Sequence, residues 1–127
     1  MINVLLVEDS EVVRIQLRKL LGTLNGVSIV GEAPSEREAV VMIESLQPHA
    51  VLLDLTLAPG SGINVLRHVH TQALPCKVLV LSNETDPRYR KLCGQLGAHG
   101  FYDKSLEIKQ VLTHLRGWSE GGSAPAL

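Results

Sequence analysis

The sequence predicts an α/β protein in which five parallel strands alternate with five helices. Three observations predict this class. Five short apolar runs recur along the 127 residues. Three of these runs are almost continuously apolar, as in strands that are covered on both faces. The segments between the runs carry helix caps and the helical period. Such strict alternation is typical of a parallel sheet with helices on both faces.

The five predicted strands are short and mainly aliphatic. They are Ile2–Val7, Val27–Val30, Ala50–Leu53, Lys77–Leu81 and Gly100–Tyr102. The chain has only one Phe, one Trp and two Tyr, so Val, Leu and Ile must form most of the core. Hydrophobic residues make up 45% of the sequence, which argues against a disordered chain.

Each predicted helix has its own signal. The first helix has a Ser10 cap and Gly22 after Leu21, and the second has a Ser35–Glu38 capping box with Pro48 beyond its end. The third helix has a Ser61 cap. The fourth begins at Asp86–Pro87 and has Gly97 at its end. The fifth helix is indicated by apolar residues at i, i+3, i+4 and i+7, which are Ile108, Val111, Leu112 and Leu115.

Composition limits the classes of function. The length predicts one domain, residues 1–119, followed by a flexible tail, 120–127, or by the start of a linker. A net charge of −1 gives no electrostatic case for direct nucleic-acid binding. Insertion into a membrane is not expected, because no apolar run approaches ~20 residues. The start of the chain lacks a signal peptide, so a cytoplasmic location is expected. Cys76 and Cys93 form no CxxC pair and are expected to be reduced.

Chemistry-bearing residues follow four of the predicted strands. Glu8 and Asp9 follow the first strand. Asp54 stands at the end of the third strand, Ser82 stands at the end of the fourth, and Lys104 stands at the end of the fifth. In an open parallel sheet these ends share one edge, where ligands bind. Carboxylates this close repel one another and need a cation, and an oxygen-only set suits Mg²⁺. Because a lysine and a hydroxyl can contact phosphoryl oxygens, the pattern suggests an aspartate that accepts a phosphoryl group.

Each of these residues also has an ordinary structural interpretation. Asp54 could be a turn residue at a strand end, and Glu8 with Asp9 could be acids at a helix start. Lys104 could be a solvated surface lysine, and Ser82 could belong to a turn. The chemical interpretation therefore depends on their joint placement.

Four segments carry a resemblance to a family. They are LLVEDS (5–10), VLLDLTLAPGSG (51–62), VLVLSNE (78–84) and GAHGFYDKS (97–105). Over residues 2–118 the chain resembles the receiver domain of two-component response regulators. The resemblance implies a flavodoxin-like fold with strand order 2-1-3-4-5. It also implies Mg²⁺ as cofactor and a histidine kinase or histidine phosphotransfer protein as phosphoryl donor.

The resemblance also implies a role for each matching residue. Asp54 is the implied phosphoacceptor, and Lys104 is the implied phosphoryl-binding lysine. The implied Mg²⁺ ligands are Glu8, Asp9, Asp54 and the Thr56 backbone carbonyl. Ser82 is the implied switch hydroxyl, and Phe101 is the implied switch aromatic. In the family, phosphorylation draws the hydroxyl inward and the aromatic follows. The surface formed by the fourth helix, fifth strand and fifth helix then changes.

Three positions depart from the family pattern. Ser105 replaces a proline that commonly follows the lysine, often after a cis bond. We therefore expect a trans Lys104–Ser105 bond or a differently shaped loop, because a cis bond before a non-proline residue costs several kcal/mol. Ala58 replaces another common proline, and Pro59 follows it. Phe101, which could equally be a core residue, lacks the hydroxyl of the more usual tyrosine.

Two surface groups are candidates for partner contact. Val12, Ile15 and Gln16 lie off the predicted buried stripe of the first helix, and we expect them to help dock the phosphoryl donor. The alternative is scattered surface hydrophobes. Residues 88–91 form a basic cluster on the fourth helix, which is either a solvated face or a second partner contact.

The leading interpretation is a stand-alone phosphorylation switch that is not a metabolic enzyme and acts on an unidentified downstream protein. A homodimer formed on phosphorylation is one option for its output. Three alternatives remain: a haloacid dehalogenase-like phosphatase, a receiver fold used only for binding, and a receiver cut from a DNA-binding regulator. The first is considered because Asp54-Leu55-Thr56 loosely resembles the motif of those phosphatases.

Overall fold

A computed structural model describes residues 1–84 and 86–121. From residue 122 onward, the predicted flexible tail lies outside the described residues. Strands and helices alternate along the chain without exception. In order they are β1 (Ile2–Val7), α1 (Glu11–Leu21), β2 (Val27–Ala33), α2 (Glu36–Leu46), β3 (Ala50–Asp54), α3 (Gly62–Thr71), β4 (Lys77–Ser82), α4 (Pro87–Gln95), β5 (Gly100–Asp103) and α5 (Ile108–Ser119).

The five strands form one parallel sheet in the order β2-β1-β3-β4-β5. This confirms both the predicted class and the strand order. The chain reverses direction across the sheet between β1 and β3. At such a point the loops after two neighbouring strands diverge and leave a crevice at the carboxyl edge.

Two aliphatic cores cover the two faces of the sheet. Along β1, Leu5 and Val7 pack on one face with residues of α2, α3 and α4. The alternate residues Val4 and Leu6 pack on the other face with residues of α1 and α5. Every residue of β3 is buried, which explains its continuous apolar sequence. Because the pleat alternates side chains between faces, both cores form from the same strands.

Four strands extend beyond their predicted ends. The prediction for β2 ended at Val30, but the strand continues through Gly31 and Glu32 to Ala33. Its pairing shifts so that Val4 lies opposite Ile29 and Leu5 lies opposite Gly31. An apolar pattern does not reveal these residues, because β2 is a partly exposed edge strand and any residue can supply the backbone bonds of the ladder. The other extensions add Asp54 to β3, Ser82 to β4 and Asp103 to β5.

Side-chain caps begin four of the helices as predicted. Ser10 Oγ accepts from Val13 N–H at 3.3 Å, and Ser35 Oγ accepts from Glu38 N–H at 3.3 Å. Ser61 caps α3 and Asp86 caps α4 in the same way. These bonds satisfy backbone donors that have no partner within the helix, so each cap fixes where a loop ends.

The described residues contain no helix that is long and apolar enough to cross a membrane. Cys76 and Cys93 are buried and unbridged, as expected. Burial raises the pKa of both thiols, that of Cys93 to about 11, so neither is a reactive thiolate.

Candidate functional site

The carboxyl edge of the sheet brings three carboxylates together. Glu8 and Asp9 lie in the loop after β1, and Asp54 is the last residue of β3. One carboxylate oxygen from each lies within 4.8 Å of the others. Glu8 is 2% exposed and Asp54 is 5% exposed, whereas Asp9 is open to solvent. The predicted acidic cluster therefore forms, and Asp9 lies on its solvent side.

Lys104 reaches into the cluster from the loop after β5. Its Nζ lies 2.5 Å from Glu8 Oε1 and 3.2 Å from Asp54 Oδ2. The Lys104 backbone N–H donates to the Ser82 carbonyl at 3.0 Å, which ties this loop to the end of β4. The ammonium group therefore offsets part of the repulsion between the two buried carboxylates.

Burial and charge alter the protonation of this cluster. Burial, with a smaller contribution from the Asp54 charge, raises the pKa of Glu8 to about 7 despite its bonds to Lys104 and Ser10. Burial alone would lower the pKa of Lys104, but the neighbouring Glu8 and Asp54 outweigh it and raise that pKa. Lys104 is therefore a permanent cation at neutral pH.

The donor set of this cluster fits a hard divalent cation. All three candidate ligands are carboxylate oxygens, and Mg²⁺ prefers a few such ligands with water completing its shell. Two of them are buried together at a cost that a dication would relieve. Thr56 lies beside them, and its N–H donates to Asp54 Oδ1 at 3.1 Å. A metal contact through the Thr56 carbonyl stays a prediction.

Ser82 and Phe101 lie on β4 and β5, the two strands that follow β3 in the sheet. Ser82 is 2% exposed, and its Oγ accepts from the backbone N–H of Glu84 at 2.9 Å. Phe101 is 6% exposed, in the core under Arg90, whose guanidinium carbon is 4.9 Å from the ring centroid. Both side chains line one cavity of about 250 Å³, so a repacking of one can affect the other. Their switch roles stay predictions.

Two residues of the basic cluster 88–91 make separate local contacts. Arg88 bonds to Asp86, its Nη2 lying 2.6 Å from Oδ2, and Arg90 covers Phe101. Tyr89 and Lys91 are exposed. The cluster is thus a partly engaged surface rather than one free basic patch.

The predicted docking residues are exposed on α1. Val12 is 65% exposed and Ile15 is 37% exposed, with Gln16 beside them. Sequence reasoning missed Leu106, which is 84% exposed in the loop between Lys104 and α5. Its signal was a large aliphatic residue in a polar loop. Gln16 lines a groove of about 410 Å³ between α1 and this loop.

Gly62 is a further site residue that the sequence analysis missed. A Cβ atom at this position would lie 2.1 Å from the backbone oxygen of Asp54. The Gly62 N–H also donates to the Leu55 carbonyl at 2.9 Å. The start of α3 can therefore approach the end of β3 only without a side chain. The pair of glycines around Ser61 was the available signal.

One backbone prediction and two further backbone features concern the loops of the site. The Lys104–Ser105 bond is trans as predicted, since Ala58–Pro59 is the cis peptide bond among the described residues. Gly60 adopts φ +105° directly after it, against the Glu36 side chain. Both features lie in the loop between Asp54 and α3.

Comparison with known proteins relates the chain to response regulators. The sequence model of the family described as "Response regulator receiver domain" matches residues 4–116. The response regulator UvrY of Escherichia coli K12 is 30% identical over 116 residues, which are 91% of this chain and 53% of that protein. The response regulator protein VraR of Staphylococcus aureus is 30% identical over 124 residues, 96% of this chain and 58% of that protein. The chain thus spans about half the length of the curated relatives it matches.

Solved structures give the same relationship. The signal receiver domain of the response regulator NarL from Mycobacterium tuberculosis superimposes with a TM-score of 0.85 at 26% identity, covering 94% of this chain and 97% of that one. The response regulator domain of Thermotoga maritima CheB superimposes with a TM-score of 0.80 at 26% identity, covering 96% of each chain. The flavodoxin-like fold implied by the sequence is therefore confirmed.

Proposed function

The chain belongs to the family of response regulator receiver domains, and we propose that it works as a phosphorylation switch whose phosphoacceptor is Asp54. The observation that carries the proposal is the convergence of three carboxylates at the carboxyl edge. Their oxygens lie within 4.8 Å of one another, and Lys104 Nζ lies 3.2 Å from Asp54 Oδ2. A buried carboxylate beside a fixed cation is arranged to receive a dianionic group.

In the proposed transfer, a carboxylate oxygen of Asp54 attacks the phosphorus of a phosphohistidine. The new P–O bond forms as the P–N bond breaks, and the electron pair of that bond stays with the leaving imidazole. Thr56 N–H and Lys104 Nζ hold the two oxygens of the Asp54 carboxylate in place. Glu8, Asp9 and Asp54 would hold Mg²⁺, which when bound neutralises charge that develops on the phosphoryl oxygens.

The switch proposal rests on the partner of Ser82. Its Oγ now accepts from Glu84 N–H. If the hydroxyl turned to donate to a phosphoryl oxygen on Asp54, this bond would break and the loop before α4 would lose an anchor. Because Phe101 and Arg90 line the same cavity, the change would extend to the surface formed by α4, β5 and α5.

Intact mass after incubation with acetyl phosphate tests the phosphoacceptor. We expect one phosphoryl adduct in wild type that requires Mg²⁺ and is absent from Asp54→Asn. Asp86→Asn is the matched control, because Asp86 is an aspartate outside the cluster, and it should still form the adduct. If no adduct and no beryllofluoride complex formed in wild type, a receiver fold used only for binding would become the better proposal.

We infer that a histidine kinase or histidine phosphotransfer protein supplies the phosphoryl group through contacts at α1. Val12 and Ile15 present apolar surface on α1, and Gln16 of the same helix lines a groove together with Lys104 and Ser105. Ile15→Glu should slow transfer from the cognate donor while leaving acetyl phosphate labelling unchanged. Val41→Glu, which changes an exposed apolar residue on α2, should affect neither rate.

The output partner is proposed to be a protein that reads the surface formed by α4, β5 and α5, with a second copy of the chain as one candidate. A second candidate output comes from the relatives. A protein of Pseudomonas aeruginosa named a putative transcriptional regulator is 32% identical over 112 residues. Direct nucleic-acid binding by this chain was not predicted, given its net charge of −1. A mobility-shift assay with duplex DNA and the beryllofluoride-treated chain tests whether this chain itself binds DNA.

We propose that the chain is a switch and not a metabolic enzyme. Its phosphoryl chemistry would consist of self-catalysed acceptance and loss of one group at Asp54. Sustained turnover of a phosphomonoester would favour the haloacid dehalogenase-like alternative instead. A cytoplasmic location, where a kinase would meet the chain, stays a prediction.

A further inference from the structure

An arginine side chain forms a hydrogen bond with the backbone that carries Glu8 and Asp9. Arg14, in the first turns of α1, donates from Nη1 to the Glu8 backbone carbonyl at 2.7 Å. Its side chain is 18% exposed, so this bond is shielded from competing water. No role in the acidic cluster was assigned to Arg14 from the sequence.

A second ion pair orients the Arg14 guanidinium. Arg14 Nε lies 3.4 Å from Glu32 Oε1 on β2. Glu32 is itself held by Arg18, whose Nε and Nη2 contact its two oxygens at 2.8 and 3.0 Å. The planar guanidinium of Arg14 can bond to Glu32 and to Glu8 in fixed relative directions, which a lysine cannot do.

The bond acts on the peptide unit between the two acidic residues. The Glu8 carbonyl and the Asp9 N–H belong to one planar group, so a donor that fixes the carbonyl fixes the whole plane. The Glu8 N–H donates to the Ala33 carbonyl at 3.0 Å, and Glu8 Oε2 accepts from Ser10 N–H at 3.0 Å. Arg14 completes this set, and it sets the direction in which the chain leaves Glu8 toward the solvent-side carboxylate of Asp9.

We propose that Arg14 is a positioning residue that presets the carboxylate pair Glu8 and Asp9 for a divalent cation. This inference rests on the proposed function, because it assumes that the carboxylate cluster binds Mg²⁺. Without Arg14 the Glu8 carbonyl would lose its side-chain donor, and only the bonds of the Glu8 N–H and of the Glu8 side chain would restrain the plane between the two residues. Repulsion from Glu8 and Asp54 would then turn the Asp9 carboxylate away before a cation arrives.

The test compares Arg14→Gln with Arg18→Gln. Both remove one positive charge beside Glu32, but only Arg14→Gln removes the bond to the Glu8 carbonyl. Calorimetric titration with Mg²⁺ should give a dissociation constant about tenfold weaker for Arg14→Gln, the usual scale for residues that support metal ligands. Arg18→Gln should stay within about twofold of wild type, because it leaves the Glu8 bond in place.

A second measurement needs no metal. Hydrogen exchange of the Asp9 and Ser10 amides in Mg²⁺-free buffer should be faster in Arg14→Gln than in Arg18→Gln, at matched melting temperatures. If Arg14→Gln fails to fold, Arg14→Lys keeps the charge and should still bind Mg²⁺ more weakly than wild type. Wild-type Mg²⁺ affinity in either Arg14 variant, or equal losses in Arg14→Gln and Arg18→Gln, would overturn the inference.

Failure of the proposed function looks different. A wild-type chain that binds no Mg²⁺ would overturn the proposed function, and with it the role of Arg14. A wild type that binds Mg²⁺ beside Arg14 variants that bind it equally well would overturn the role of Arg14 alone.

Discussion

Gly62 lies directly against the backbone of Asp54. Any side chain there would meet the Asp54 backbone oxygen, because an added Cβ would lie only 2.1 Å from that atom. Gly117, in α5, has no atom within 4 Å of an added Cβ and offers a matched control. Comparing substitutions at the two glycines therefore separates the steric requirement at Gly62 from the ordinary cost of glycine in a helix.

We expect Gly62→Ala to lower the free energy of unfolding by about 3 kcal/mol, because the start of α3 must move away from β3. Gly117→Ala should raise it by about 0.5 to 1 kcal/mol, since alanine favours the helix. Urea unfolding of both variants measures the difference. Equal effects of the two substitutions would show that the close approach at Gly62 is readily relieved.

Arg90 connects the surface of α4 to a side chain in the core. Its guanidinium lies over the Phe101 ring, where the electron-rich face attracts a cation. We expect Arg90→Ala to lower the free energy of unfolding by about 0.5 to 1 kcal/mol through this contact. Lys91→Ala, at the next exposed position, should change it by less than about 0.5 kcal/mol. A loss of equal size in both variants would contradict a specific contact with Phe101.

At the scale of elements, Glu36 fastens the start of α2 to the loop before α3. Its Oε1 accepts from Ser61 N–H at 2.9 Å and from Asn64 Nδ2 at 3.0 Å. Sequence reasoning placed Glu36 only within a capping box. The structure shows that it also holds the chain segment that follows Asp54.

Glu36→Ala should lower the free energy of unfolding by about 1 to 2 kcal/mol, the scale of a charged hydrogen bond that is partly exposed. Arg37→Ala, on the same turn of α2 but exposed, serves as the control and should have little effect. Thermal or urea unfolding gives the values. Glu36 would have no anchoring role if its removal cost no more than that of Arg37.

The contact between α5 and β5 contains two half-buried histidines. His114 hydrogen-bonds to the Tyr102 hydroxyl and stacks on Trp118 with ring centroids 5.3 Å apart. His99 Nδ1 accepts from Val78 N–H at 3.4 Å and meets Trp118 edge-on. Burial lowers the pKa of both imidazoles, and nearby Lys77 lowers that of His99 further.

This contact should weaken in mild acid. A histidine whose folded pKa is lowered binds its proton more readily in the unfolded chain. Its contribution is therefore complete above the unfolded pKa of about 6.5 and is lost as pH falls through the folded pKa. We expect the free energy of unfolding to fall more between pH 7.5 and pH 5.5 in wild type than in His114→Gln, which cannot titrate. Parallel pH profiles for the two chains would contradict this.

At the scale of the whole molecule, cation binding and folding stability are linked. The carboxylates of the cluster come from β1 and β3 and converge only in the folded chain. If Mg²⁺ binds there, it stabilises the fold by about 1.4 kcal/mol at ten times its dissociation constant. We expect Mg²⁺ to raise the melting temperature of wild type, and to raise that of Asp9→Asn less at equal concentration. A thermal shift that is the same in both would place the cation elsewhere.

The sequence alone determined the class, the strand order through its resemblance, and most of the acidic edge. Apolar runs and helix caps are local signals, and they predicted the strands and helices correctly because both faces of the sheet are covered. Glu8, Asp9, Asp54 and Lys104 could be named because parallel strands carry their polar ends to one edge. The roles assigned to these residues remain predictions that the adduct and Mg²⁺ experiments test.

Only the tertiary structure decided which side chains support that edge. Arg14 on the Glu8 carbonyl, Glu36 on the loop before α3, and Arg90 over Phe101 each join a helix residue to a residue of a loop or strand outside that helix. No local pattern marks such contacts, because a charged residue on a helix looks solvated until packing aims it at a partner. The same holds for the close approach of Gly62 to Asp54, which depends on how α3 leaves the sheet. The alternation of strands and helices follows from the chain's own periodicity, whereas the direction of a side chain follows from the neighbours that the fold supplies.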